Sequence, residues 1–189
     1  MTFRQQGAIG VFAFGILAAM PWTARAQAET FKATASVKTA GGASATAPVT
    51  IKIDRKMSQA EADKLGAAFK AGGVAGLKSA LQGVAPTGSI QLGAGKPVPT
   101  RITIERTTDK GRLLTLVTDT PIFFLGSGLP DAKPKAGYDL GLVDIEIDAK
   151  GHGTGTLAPA AKIAAIQGAF TVQDYGAELV KLTDVAPAR

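Results

Sequence analysis

Three four-residue turns of one form narrow the folds open to this chain. They are Thr108-Asp109-Lys110-Gly111, Asp148-Ala149-Lys150-Gly151 and Ala165-Ile166-Gln167-Gly168, and each separates two runs of strand formers. A closing glycine that takes positive φ suits a short hairpin loop with a bulge. Each turn therefore predicts a pair of antiparallel strands. Around the first, Arg101–Glu105 should pair with Leu113–Val117, which is apolar on nearly both faces and belongs in the middle of a sheet. Around the second, Leu142–Ile147 should face Thr154–Leu157, and around the third, Ala161–Ala164 should face Ala169–Val172. Ile122-Phe123-Phe124-Leu125 reads as another short buried strand, and Glu178–Val185 as the strand that ends the chain.

The amino-terminal half carries the same signal with one interruption. Thr30–Thr39 is rich in β-branched and small residues, and Val49, Ile51 and Ile53 alternate with Thr50, Lys52 and Asp54, the period of a half-buried strand. Ser58-Gln59-Ala60-Glu61 has the form of a capping box, with a serine oxygen over the helix start and a glutamate reaching back from three residues on. Leu65, Ala68 and Phe69 follow at helical spacing. Gly72-Gly73 ends that helix, and Val74–Leu81 forms a second one, stopped by Gly83 and Pro86. The prediction is an α+β fold, mainly β. It is an antiparallel curved sheet, or a two-layer β sandwich or barrel, with one helix pair inserted after the second strand.

Residues 1–28 have a separate character. Arg4 precedes an unbroken apolar run from Gly7 to Met20, and Pro21 and the alternating small residues of Ala24-Arg25-Ala26-Gln27-Ala28 follow. This is the order of a secretory signal peptide, and the run is short of the roughly 20 residues a spanning helix needs. Cleavage is expected after Ala28, with Ala26 as the near alternative. It leaves residues 29–189 as a single β-rich domain, and losing Arg4 and Arg25 lowers the net charge from +6 to +4. The remaining charges are mixed along the chain without a basic block, and Trp22 leaves with the signal, so a nucleic-acid partner is not expected. The chain has no cysteine, which excludes disulfides, thiol catalysis and thiolate metal sites. No later apolar run is long enough to span a membrane, so none is expected in the mature chain.

Gly126–Tyr138, the one long irregular stretch, holds three glycines, two prolines and two lysines between apolar segments. A loop of that length in a compact domain is more often functional or mobile than incidental. Gly126, Ser127, Gly128, Lys133, Lys135 and Tyr138 are the candidate ligand-binding residues. Backbone N–H groups of Gly126-Ser127-Gly128 can cradle an anion beside the two lysines, or form a purely structural turn. GLPDAKPKAGYDL (Gly128–Leu140), LAPAAK (Leu157–Lys162) and QDYGAE (Gln173–Glu178) resemble segments of a group of uncharacterised exported bacterial proteins. That resemblance implies a bacterial, periplasmic setting and brings no activity or catalytic residue.

Catalytic signatures are sparse. There is neither a G-x-S-x-G elbow nor a phosphate-binding G-x-x-x-x-G-K-[ST] loop. His152, the sole histidine, follows a turn and is expected in solvent. Asp144, Glu146 and Asp148 should point to one side of a strand, about 6.5–7 Å from one to the next. They form either a solvated face or a set of carboxylates for a hard cation or acid–base work. The favoured expectation is a non-catalytic exported module, without cofactor or metal, that binds a small apolar ligand or an envelope protein. The alternative is a periplasmic hydrolase using Asp144 or Glu146 with His152.

Overall fold

A computed structural model describes residues 28–38, 42, 44–122, 137–166, 169–175 and 179–188. Its elements run β1 (Glu29–Lys38), β2 (Ser44–Ile53), α1 (Gln59–Gln82), β3 (Gly88–Leu92), β4 (Val98–Thr108), β5 (Gly111–Thr118), β6 (Leu140–Asp148), β7 (Gly153–Ile166), β8 (Ala169–Tyr175) and β9 (Val180–Pro187). Hairpin pairing carries the sheet from β1 to β7, skipping only the excursion through α1. The last strand, β9, then inserts between β7 and β1. Together with the β6–β7 pairing this closes an antiparallel barrel of eight strands, and β8 extends the far half of β7 as a hairpin arm. The predicted mainly β class with its helical insertion is therefore observed, in the closed form.

All three predicted hairpins are present in register, as Arg106↔Leu113, Glu146↔Thr154 and Ile163↔Val172 show. Gly111 and Gly151, which close the first two turns, have φ of 149° and 86°. The third turn's Gln167 and Gly168 lie outside the described residues. The predicted strand at Ile122–Leu125 does not begin where expected: Ile122 belongs to no strand, and Phe123–Leu125 lie outside the described residues.

Alternation decides which side chains enter the barrel. Phe31, Ala33 and Ala35 of β1 stand opposite Ile51, Val49 and Ala47 of β2, while Leu114 and Leu116 of β5 stand opposite Ile145 and Val143 of β6. Directly opposed residues share a face, and these belong to one core. Ile51, Ile90, Leu114, Leu116, Val143, Ile145, Ile147 and Leu157 have no exposed surface. Eight strands give an interior just wide enough for side chains to fill. The described lumen residues pack against one another, and most are closed to solvent.

A second core lies on the outer wall. Leu65, Leu77 and Leu81 of α1 pack on Ile102, Val117, Leu140, Leu142, Ala158 and Ala161, the outward residues of β4 to β7. The capping box is present in both directions: Ser58 Oγ accepts from the Glu61 N–H, and Glu61 accepts from the Ser58 N–H at 2.9 Å. The helix breaks at Gly73, whose φ of 58° and ψ of −147° glycine adopts without a steric penalty. Beyond it the chain doubles back, so a Cβ at Gly76 would sit 2.5 Å from the Ala68 carbonyl oxygen. The predicted pair is thus one helical hairpin. Its ends are tied to the barrel by N–H donation from Asp54 and Arg55 to the Thr87 carbonyl and from Met57 to the Thr103 carbonyl.

Candidate functional site

Of the six residues predicted to bind a ligand, Gly126, Ser127, Gly128, Lys133 and Lys135 lie outside the described residues. Tyr138 is described. It sits two residues ahead of β6 and is 6% exposed, so its ring belongs largely to the interior.

The carboxylates of β6 follow the predicted alternation, with Val143, Ile145 and Ile147 inside. Each acid already has a local task. Asp144 accepts from the Thr115 hydroxyl, and Glu146 from Thr108 Oγ1 at 3.4 Å with Lys110 Nζ at 3.9 Å. Asp148 Oδ1 accepts the N–H groups of Lys150 and His152 at 2.8 and 2.9 Å, which fixes the turn and lowers its pKa. His152 contributes its backbone to that arrangement and is exposed, as expected. No group of three or more acidic, histidine or cysteine side chains is placed to hold a metal among the described residues.

A tighter constellation closes one end of the barrel, which we term the ionic end. Here the alternation that puts Phe31 and Leu114 inside also turns Glu29, Glu105 and Arg112 toward the mouth. Lys56, between β2 and α1, joins them. Arg112 bridges both acids, with Nη1 3.1 Å from Glu29 Oε1 and 3.0 Å from Glu105 Oε2. Lys56 Nζ lies 3.0 Å from Glu29 and 2.5 Å from Glu105. The Arg112 guanidinium also stands 5.8 Å over the Phe31 ring, joining the charges to the apolar core.

The bond from Arg112 holds Glu29 below the usual carboxylate range against the effect of burial, with Lys56 adding to it. Burial works to raise Glu105, but its bonds to Lys56 and Arg112 prevail and lower it. The Glu29 bond raises Arg112, and Lys56 is raised by its two carboxylates despite burial. The four charges pair with one another across the mouth of the barrel. Sequence reasoning missed this cluster. The available signal was three ionisable residues at inward positions of strand ends.

Two recesses are lined by described residues. One, of about 280 Å³, lies at the open end of the α1 hairpin, between its first turns and its last. Met57, Leu65, Ala80, Gly83 and Val84 line it, with Glu61 and Lys64 at the edge. The other, of about 460 Å³, lies at the barrel end opposite the ionic one, outside β2, β1 and β9. It is lined by hydroxyls, two lysines and a few apolar side chains.

No protein-family model, curated protein or solved structure matches this chain.

Proposed function

We propose that this chain is an exported, non-catalytic binding module that takes a small apolar ligand on the outside of its barrel, in the recess at the open end of the α1 hairpin. The observation that carries this reading is the contrast between the two apolar spaces. The described lumen residues pack against one another, most of them closed to solvent, whereas the α1 recess is lined by apolar side chains and open. Its volume, about 280 Å³, lies just below the range of about 300–1,000 Å³ usual for ligand sites, which suits a small ligand. Met57, unbranched and polarizable, lets the wall adapt to more than one apolar shape. The apolar run Gly7–Met20 and the small residues ending at Ala28 support export.

The test begins with protein recovered from its own cell envelope. Intact mass should give a chain starting at Glu29 or Gln27, and native mass spectrometry should show a bound apolar compound. Binding of the neutral probe N-phenyl-1-naphthylamine should weaken at least tenfold in Ala80→Phe, with thermal stability little changed. A chain beginning at Met1 would remove the export reading, and equal probe binding by Ala80→Phe would remove the recess.

A further inference from the structure

The second recess has a different chemistry, and register explains how it arises. Ser36 of β1 stands opposite Thr46 of β2 on one side and Lys181 of β9 on the other. Neighbouring strands are about 4.8 Å apart, so these three outward side chains make a row about 10 Å long. Two residues further along β1, Lys38 stands opposite Ser44 and adds a second row. Only the backbone of Val37 and Ala45 lies between the rows, since their side chains face the lumen, and Leu179, 41% exposed, stands at the edge. The recess thus presents three hydroxyls and two ammonium groups with Leu179 at its edge, and among the described residues no acid lines it.

Salt bridges tie up Lys52 with Asp54, Lys56 with Glu29 and Glu105, Lys78 with Asp139, and Lys110 with Glu146. Lys38 and Lys181 enter no ion pair with the described residues, and their like charges flank one concavity. Two lysines converging on a hollow without a carboxylate favour an anion there. The hydroxyls at fixed strand positions supply directional donors and acceptors that a bare ion would not use in full.

We propose that this recess binds a hydroxylated organic anion of monosaccharide to disaccharide size, a sugar acid or sugar phosphate. Lys38 and Lys181 hold the anionic group, Ser36, Ser44 and Thr46 bond the hydroxyls, and Leu179 covers an apolar C–H face of the ring. The site stands on the opposite end of the barrel from the ionic cluster and does not depend on the apolar recess.

Titration of ¹⁵N-labelled protein with glucuronate and glucose 6-phosphate tests this. Saturable shifts should appear at the amides of residues 36–38, 44–46 and 179–181, and glucose should leave them unmoved. Lys38→Gln with Lys181→Gln should weaken both anions at least tenfold while the melting temperature stays within a few degrees. Thr46→Val, which keeps both charges, should weaken glucuronate and leave the weak response to inorganic phosphate unchanged. Equal shifts with glucose, no shift with either anion, or undiminished binding by the double variant would each overturn the assignment.

Discussion

Ile122 occupies the space that a side chain at Gly141 would need. A Cβ at position 141 would lie 2.6 Å from Ile122 Cγ1 and 2.6 Å from Thr118 Oγ1. Position 141 is in phase with Val143 and Ile145 and so faces the lumen. The gap left by this glycine lets Ile122, fixed by N–H donation to the Pro159 carbonyl, close the barrel interior from outside any strand. Gly141→Ala should therefore destabilise by overpacking, by about 1–3 kcal/mol. Urea unfolding would measure it, and the cost should shrink in an Ile122→Ala background because the two sites couple. An additive pair would show that Ile122 is not the obstacle.

The ionic end sets the acid limit of stability. Glu29 and Glu105 are lowered in the folded protein, so their contribution is complete above the ordinary carboxylate range. It is lost as the pH falls through their lowered values. Lys56 and Arg112 are raised, so their contribution is complete below the ordinary range of each base and is lost only as the pH climbs past the raised values. Stability from the cluster should form a plateau across neutral pH. Arg112→Met should cost about 1 kcal/mol there, as a partly exposed pair does, and should flatten the fall toward acid. Urea midpoints at pH 7 and pH 3 for both proteins would check this, and parallel profiles would refute it.

Between the start of β3 and the inner face of β4, three threonines form a closed polar unit. Thr103 Oγ1 donates to Thr87 Oγ1 at 2.8 Å, and the Thr87 and Thr100 hydroxyls meet at 3.1 Å, all fully buried. Thr87→Val keeps the shape but removes the central oxygen, leaving buried hydroxyls unsatisfied at a cost of about 1–3 kcal/mol. Thr87→Ser should retain most of the stability. Denaturant unfolding of both variants separates this role from simple packing, under which serine, having lost a buried methyl group, would be the less stable of the two.

Local features of the chain were readable because they depend on near neighbours. Val49, Ile51 and Ile53 announce their face by alternation, and Ser58 with Glu61 announces a helix start within one turn. The turn at Asp148–Gly151 fixes its own hairpin. Partners far away in sequence leave no such mark. Alternation in Val180-Lys181-Leu182-Thr183 shows a strand but not that Leu182 lies against Ala35 on one side and Gly155 on the other. The ionic end draws its charges from positions 29, 56, 105 and 112, and Lys38 meets Lys181 only because the barrel closes. The predicted loop was chosen for length and composition, whereas both recesses are made by regular elements whose register brings ordinary surface residues together.

Placing β9 between β1 and β7 also fixes the order of events during biosynthesis. Until residues 180–187 have emerged, β1 and β7 each retain an open hydrogen-bonding edge, and the first strand must wait for the last. Such long-range closure is slow, and open edges recruit other chains. A product truncated before Val180 should therefore aggregate rather than persist as a smaller barrel. The interval between formation of β1 and arrival of β9 is when the chain most needs a chaperone to cover those edges.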